Sequence, residues 1–251
     1  MITILFYPEP LKPKPLAKVY RVLQGRDDIA YHNDPTQPYD LHMFWSYTKH
    51  SIKPDDFTLL APNVINRGCW DIGKDKVNDV FNDIRIDPIK HHGICVKKFD
   101  RQGRHNRHKI IQCPAAPRSG YIYQKYIEDK EGDLFIKYRV YYADGINYVI
   151  KNHKAHPFAS DRALPLEEVP KETIFTAEQE QDFINKCNLF RVDFAEIDIV
   201  MDNGVPIVVD VNNIVGGGDD PGLTGTEIGR ITDEAIITFI KRRYDQTSKI
   251  Q

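Results

Sequence analysis

The chain has 251 residues, 41% of them apolar and 28% charged, which is the composition of a folded globular protein with a substantial core. Lysine and arginine number 34 against 36 aspartates and glutamates, so the net charge of −2 excludes a strongly basic protein that coats nucleic acid. No stretch approaches the ~20 apolar residues of a membrane span, and residues 1–7 lack the basic start of a signal peptide.

The first part of the chain, residues 1–62, predicts a small α/β unit. Residues 2–7, 29–32 and 39–44 are short apolar runs typical of strands, and residues 16–23 carry an apolar stripe at helical spacing. The unit contains no glycine-rich phosphate loop, so the sequence does not indicate a dinucleotide-binding role for it.

The middle of the chain alternates between helical and extended patterns. Residues 74–84 have apolar positions at helical spacing, and residues 93–99 and 121–127 are typical of strands. A markedly basic stretch, residues 97–109, contains six lysines and arginines and one aspartate. Aromatic residues do not alternate with these cations, so the stretch offers no stacking platform for nucleic acid.

Residues 134–150 predict a β-hairpin. Two β-rich runs flank Asp144 and Gly145, a pair that suits a type I′ turn because both positions need a positive φ. Alternate residues of the first run share one face, which includes both Lys137 and Arg139. Two cations on a half-buried face indicate an anionic partner.

A long loop and a capped helix are predicted next. Residues 156–172 are polar and contain proline, which is typical of a loop. Residues 176–187 predict a helix, with Thr176 as its N-cap and Gln179 at the spacing of a capping box.

Acidic residues interrupt two apolar strands in the last quarter of the sequence. Residues 194–200 and 205–211 are joined by an Asp-Asn-Gly turn, and they carry Asp198 and Asp210, with Asn212 just beyond. Alternation puts Asp210 and Asn212 on one face, and closure of the hairpin brings Asp198 towards them. Three oxygen-bearing side chains suit a hard cation, Mg²⁺ above all. The alternative is that these acids cap a turn or pair with lysine or arginine.

The segment FAEIDIVMDNGVPIVVDVNN resembles the metal motif of the ATP-grasp family, in which an acid on one strand precedes D/E-x-N on the next. Four upstream segments resemble the family's other motifs and follow the family's order. VINRGCWDIGKDKVNDVFNDIRIDP resembles the opening of the module, and GICVKKF resembles its phosphate-lysine strand. YIYQKYIE resembles its adenine hinge, and KYRVYYADGINYVIKNHK resembles its arginine strand with the lysine-bearing partner strand.

This resemblance implies an α+β protein with the ATP-grasp fold. In that fold two α+β subdomains clamp the nucleotide, and here they would span residues 63–123 and 124–251, the second holding the metal site. The short amino-terminal α/β unit would precede the ATP-grasp domain of residues 63–251.

The resemblance also implies which residues meet the nucleotide. Lys97 matches the lysine that contacts the phosphates, although its neighbour Lys98 leaves the choice open and Lys97 could be a surface residue. The hinge whose backbone holds adenine matches Gln124, Lys125, Tyr126 and Ile127.

The other residues that match functional positions of the family lie on the two predicted hairpins. Arg139 matches an arginine that contacts phosphate or acyl-phosphate, with a cross-strand salt bridge as its alternative. Lys151 matches the basic residue on the partner strand, but a strict two-residue turn places it on the face opposite Arg139. The Mg²⁺ ligands match Asp198, Asp210 and Asn212.

The activity implied by the resemblance is that of a carboxylate–amine ligase. Such enzymes transfer the γ-phosphoryl group of ATP to a carboxylate, and an amine, thiol or other nucleophile attacks the acyl-phosphate. The cofactors would be ATP and Mg²⁺, as one ion or two and with Mn²⁺ as a substitute. The partners would be a small-molecule or peptide carboxylate and a nucleophilic acceptor, with no membrane. An ATP-grasp kinase and a non-catalytic ATP-binding module are the alternatives.

Some features depart from the family's usual pattern. The loop after the phosphate lysine is usually glycine-rich but here reads DRQGRHNRHK, and Lys137 stands where many relatives have aspartate. The amino-terminal unit is also short. The glycine run at 216–218, by contrast, stands where relatives have a substrate-facing loop, with an ordinary turn as the alternative. The four cysteines form no CxxC pair, which predicts reduced thiols in a cytoplasmic protein.

Overall fold

The structure is a computed structural model, and it describes residues 1–11, 18–46, 64–100, 108–158, 166–213 and 226–248. The predicted basic loop lies partly outside these ranges, and the glycine run at 216–218 lies wholly outside them. Within the described ranges, no helix is both long enough and apolar enough to cross a membrane.

The first sheet is parallel and has four strands in the order β2-β1-β3-β4. Its elements are β1 (Ile2–Pro8), α1 (Lys18–Leu23), β2 (Ile29–His32), β3 (Leu41–Trp45) and β4 (Val64–Ile65). Every residue of β3 is buried, as is usual in a parallel sheet covered on both faces. Because β4 belongs to this sheet, the sheet extends past residue 62, where the sequence predicts the end of the amino-terminal unit. The division of the chain into units remains a prediction.

The second sheet is a three-stranded antiparallel sheet in the order β6-β5-β7. Helix α2 precedes it, and its elements are α2 (Lys74–Val80), β5 (Gly93–Phe99), β6 (Lys109–Cys113) and β7 (Tyr121–Lys125). The sequence interpretation missed β6, because its few apolar residues directly follow the basic stretch. It also extended α2 four residues too far.

The third sheet is antiparallel and has the order β11-β10-β9-β12-β13, with β8 paired to β9. Its strands are β8 (Lys130–Glu131), β9 (Leu134–Ala143), β10 (Ile146–Lys154), β11 (Leu166–Val169), β12 (Phe194–Asp202) and β13 (Val205–Asn212). The prediction of one long loop over residues 156–172 was wrong, because β11 pairs with β10 there. Edge strands as short and charged as β11 carry little hydrophobic signal.

Apolar cores cover both faces of the third sheet, because apolar side chains alternate along β9 and its neighbours. Val140 and Ile197 face α3 (Ala177–Phe190), whereas Tyr141 and Ile150 face the first sheet and α4 (Glu227–Ser248). Helix α3 begins with the predicted capping box, in which the side chains of Thr176 and residue 179 bond each other's backbone N–H groups.

Both hairpins form at the predicted positions, but only one has the predicted regular turn. Asn203 and Gly204 have φ values of 52° and 81°, as a type I′ turn requires. Asp144 and Gly145 have φ values of 55° and 155°, and the register shifts beside them, with Ile146 opposite Tyr142, so this turn is irregular. All four cysteines are buried and free, and the Sγ atoms of Cys95 and Cys113, on paired strands, lie 3.0 Å apart.

Gly68 lies against the end of α3. Its N–H donates to the carbonyl oxygen of Arg191 at 3.1 Å, and a Cβ at this position would lie 2.0 Å from the carbonyl oxygen of Phe190. Real Cβ atoms do not approach backbone so closely, so only glycine fits. This contact packs the chain that follows β4 against the end of α3.

We expect Gly68→Ala to lower the free energy of unfolding by about 3 kcal/mol, because backbone atoms must move to admit the methyl group. Gly132→Ala is the control: its φ of +59° is strained for alanine, but nothing lies within 4 Å of the added Cβ. That variant should lose only ~1 kcal/mol. Urea denaturation of both measures the difference, and equal losses would contradict the close approach.

Candidate active site

Three charged residues form a row across the third sheet. In the strand register Arg139 of β9 lies opposite Asp198 of β12, and Asp198 lies opposite Asp210 of β13. A strict two-residue hairpin would instead put Val209 opposite Asp198. A register shift after Asp198 adds one residue to β13, so Ile199 pairs with Val208 while Asp198 pairs with Asp210. This bulge brings the predicted acids onto one face.

Asp198 is buried and held by two cations. Lys137 Nζ lies 2.8 Å from its Oδ2, and Arg139 Nε lies 3.0 Å from its Oδ1. Burial works to raise the pKa of Asp198, but Arg139 and Lys137 outweigh burial and hold this pKa below its usual range. Asp198 is therefore a carboxylate with both oxygens paired.

Asp210 meets cations that come from outside its sheet. Lys74, at the start of α2, places Nζ 3.4 Å from Oδ1 of Asp210, and Lys98 of β5 donates to the carbonyl oxygen of Val209 at 3.4 Å. Burial lowers the pKa of Lys98 to about 8, against the attraction of Asp210. The second sheet and α2 thus supply two buried amines to the acidic row.

The structure places Lys97 away from this row. Adjacent residues of a strand point to opposite faces, so Lys97 and Lys98 cannot both face the acids. Lys97 Nζ lies 4.5 Å from the ring centroid of Tyr121 and 5.9 Å from that of Tyr123. The side chain that meets the acidic row is Lys98, not the predicted Lys97.

Glu196 is a site residue that the sequence interpretation did not single out. It lies opposite Asn212 and is only 2% exposed, with Oε2 3.4 Å from Nη1 of Arg139. Burial raises the pKa of Glu196, and Arg139 only partly offsets that effect. The signal was available, since Glu196 stands two residues before Asp198 and alternation puts both on one face.

Buried polar atoms continue the site towards α1 and α4. Within the described residues, Tyr141 Oη, Tyr148 Oη and Glu196 Oε1 are buried without a hydrogen-bond partner of good geometry, and Lys18 Nζ forms a long ion pair with Asp233 at 3.4 Å. The two tyrosine rings stack at 4.2 Å, and Lys18 Nζ lies 5.8 Å from the Tyr141 centroid. Buried polar atoms with such incomplete hydrogen bonding are rare in proteins, so this cluster suits a polar ligand or ordered water.

Lys151 is not brought to Arg139. It lies opposite Tyr138, on the face that a strict two-residue turn predicts, and its Nζ pairs with Glu131 at 2.6 Å. A register shift does occur in this hairpin, between Ile146 and Tyr148, but it leaves Lys151 on that face.

The predicted hinge residues lie on and after β7. Gln124 is buried and donates to Oδ1 of Asn78 at 3.0 Å, on the same face of the second sheet as Lys98. Lys125 pairs with Asp202 at 2.6 Å, and the half-buried residues 126 and 127 follow the strand.

Asn66, from the opening motif, positions the acidic strand. Its Oδ1 accepts the N–H groups of Asp193 and Phe194 at 2.9 and 2.8 Å, and its Nδ2 donates to the carbonyl oxygen of Phe194 at 2.7 Å. The fully buried side chain fixes the start of β12 to β4. Its role is structural.

The carboxylate and amide oxygens of the row suit a hard cation that takes only one or two ligands from the protein. Among the described residues, no group of three or more histidine, cysteine, aspartate or glutamate side chains is arranged to hold a metal ion. Asp210 and Asn212 nevertheless share a face at the row's open end, and the side chain of Asp210 is 14% exposed. Mg²⁺ commonly takes one or two such ligands and completes its shell with water and phosphate.

Because the pKa of Lys98 is lowered in the folded protein, its charge costs stability below pH 8. The unfolded chain holds the proton up to its ordinary pKa near 10.5, so this cost disappears as the pH rises from 8 to 10.5. We expect the free energy of unfolding of Lys98→Met to exceed that of wild type by about 3 kcal/mol at pH 7, and this difference to fall with rising pH. Urea unfolding of both proteins tests it, and a pH-independent difference would contradict the buried ammonium.

Structural comparison relates the whole fold to solved proteins. The ATP-grasp ligase PsnB, solved with the precursor peptide PsnA2 and AMPPNP, is 14% identical, with a TM-score of 0.55 over 95% of this chain and 97% of that one. PsnB with a phosphomimetic minimal precursor, Mg and ADP gives a TM-score of 0.59 at 13% identity, over 95% and 98% of the chains. D-alanine–D-alanine ligase from Bacillus anthracis with ATP gives 0.56 at 13% identity, over 99% and 98%.

Comparison with protein-family models and with curated protein sequences finds no match. The similarity therefore lies in the arrangement of the three sheets, at identities too low to carry over substrates. It confirms the fold that the ordered sequence motifs imply. The chain has the fold of the ATP-grasp family.

Proposed function

We propose that this protein is an ATP- and Mg²⁺-dependent ligase, which activates a carboxylate as an acyl-phosphate for attack by an amine or another nucleophile. The observation that carries the proposal is the row of Arg139, Asp198 and Asp210, which buried lysines face from the second sheet and α2. A cluster of four cations and three acids, of which Lys137 and Arg139 are half-buried and the others mostly buried, is costly unless it binds a charged ligand. Its members are Lys74, Lys98, Lys137, Arg139, Glu196, Asp198 and Asp210.

The cations suit a triphosphate. Lys98 and Lys74 approach from one side and Arg139 from the sheet, so a phosphate chain between them would be neutralised from two directions. Phosphoryl transfer needs mainly positioning and charge stabilisation, and these residues supply both. Lys98 thus takes the role that the motif gave to Lys97, whereas the backbone of residues 124–127 remains the proposed adenine hinge.

Asp210 and Asn212 would hold Mg²⁺, which when bound supplies further charge neutralisation at the transferring phosphate. Mn²⁺ also prefers oxygen ligands of this kind and would substitute for Mg²⁺. The residues of the chain orient the reactants around that point. Arg139, with its planar fork of donors, suits the oxygens of the acyl-phosphate.

The polar cluster beyond Arg139 is the part of the site that would meet the polar groups of the substrate. A carboxylate oxygen of the first substrate attacks the γ-phosphorus, ADP leaves, and the nucleophile then displaces phosphate from the acyl carbon. Glu196 has a pKa raised by burial and lies beside the Tyr141 hydroxyl, so it suits the group that takes the proton from an attacking amine. The tyrosine hydroxyls of this cluster would hydrogen-bond polar groups of the acceptor.

Nucleotide affinity separates the two neighbouring lysines. We expect Lys98→Ala to weaken binding of Mg·AMPPNP about tenfold or more, because a buried cation facing the phosphates is lost. Lys97→Ala should change the affinity less than about threefold, because its ammonium faces Tyr121. Isothermal titration calorimetry measures both, and the reverse order would restore Lys97 as the phosphate lysine.

The reaction is tested by an ADP-release screen with pools of carboxylates, in the presence and absence of amine and thiol pools, and with products identified by mass. A ligase releases ADP only with a carboxylate and forms a product equal to both substrates minus water. We expect Asp210→Asn to abolish ADP release, and Asp182→Asn, on the exposed side of α3, to leave it unchanged. A phosphorylated product from one co-substrate would instead show a kinase. Nucleotide binding without turnover in any pool would show a binding module.

A further inference from the structure

The two acids of the row differ in how their oxygens are occupied. Both oxygens of Asp198 are within 3.0 Å of a cation on β9, Lys137 Nζ at 2.8 Å and Arg139 Nε at 3.0 Å. Among the described residues, Asp210 has amines near it only from outside its sheet: Lys74 Nζ lies at the longer distance of 3.4 Å, and Lys98 donates to the neighbouring carbonyl oxygen of Val209. The side chain of Asp198 is 5% exposed and that of Asp210 is 14% exposed. Of the two, Asp210 is the accessible one.

The sheet register fixes this difference. Arg139 lies directly opposite Asp198, and Lys137 lies two residues along on the same face of β9. No comparable cation can reach Asp210 from within the sheet, because β13 is the edge strand and β12 is its only described neighbour. Asp198 therefore has both oxygens paired with cations of its own sheet, whereas the ion pair of Asp210 with Lys74 occupies only Oδ1, so Asp210 has an oxygen left for a ligand.

We propose that the site holds a single divalent cation, on Asp210 and Asn212, and that the Lys137 ammonium on Asp198 takes the place of a second ion. This inference rests on the proposed nucleotide site. In it Asp198 is a positioning residue, which holds Lys137 and Arg139 against the phosphates rather than ligating metal.

Electrostatics favours this arrangement over two ions. A second divalent ion between Asp198 and the phosphates would lie within a few ångströms of the Lys137 ammonium and the Arg139 guanidinium, and repulsion between charges at that distance is strong in a buried site. It would also have to displace Lys137 from a charge-assisted hydrogen bond. A single ion on Asp210 avoids this repulsion and leaves Lys137 in place. Water and phosphate oxygens would complete its coordination.

Counting bound Mn²⁺ tests the proposal. Free Mn²⁺ gives a sharp electron paramagnetic resonance signal that is lost on binding, so titration in saturating AMPPNP yields the number of ions per chain. We expect one ion for wild type. In Lys137→Asp the competing ammonium is replaced by a carboxylate beside Asp198, and we expect two ions.

Lys186→Asp is the matched control, because Lys186 on α3 also pairs with an aspartate, Asp182, at 2.7 Å and has similar exposure. The control should bind one ion, and thermal unfolding shows whether each variant is folded. If Lys137→Asp does not fold, Lys137→Met serves in its place; it also uncovers Asp198, and it should bind a second ion more weakly.

The outcomes separate this inference from the proposed function. Two ions bound to wild type with AMPPNP would overturn the single-cation site and leave the nucleotide site intact. One ion in wild type and in the folded Lys137 variants alike would overturn the role of Lys137. Failure of wild type to bind AMPPNP with any divalent ion would overturn both proposals.

Discussion

The carboxylates of Asp198 and Asp210 stand directly opposite each other on neighbouring strands, and several surrounding elements supply the cations that compensate their charge. Like charges in this position destabilise a sheet, and burial raises the cost. The chain offsets the cost from three directions. Strand β9 supplies Lys137 and Arg139, α2 supplies Lys74, and β5 brings Lys98 to the same point. The acidic pair thereby ties the second sheet and α2 to the third sheet.

These ties explain why the elements around the site need precise placement. Lys74 and Lys98 reach the row only if α2 and β5 lie above β13. Asn66 fixes the start of β12 to β4, and Gly68 lets the chain after β4 touch the end of α3. Motif residues that look catalytic in sequence thus divide into two kinds. Some meet the charged row, and others hold the strands that carry it.

The sequence predicts local features well, but it predicts poorly which face of a strand meets a distant element. Turn residues with positive φ and an N-cap with its partner are decided within a few positions, so the positions of both hairpins and the start of α3 are predicted correctly. The acids of the row are also visible, because carboxylates stand out in apolar strands. Whether Lys97 or Lys98 faces them depends on how β5 is rotated against another sheet, which no local pattern encodes. The bulge that aligns Asp210 with Asp198 is likewise set by tertiary pairing.

Strand β9 uses both of its faces, and this limits how the protein can change. Lys137 and Arg139 contact Asp198 in the charged row, while the alternating residues Tyr138 and Val140 pack on the opposite side. Inserting or deleting one residue would turn every following side chain to the other face. Cations would then enter an apolar core, and valine would meet two carboxylates. Length variation among natural variants should therefore spare β9 and accumulate in the connections around it, where no alternation has to be kept.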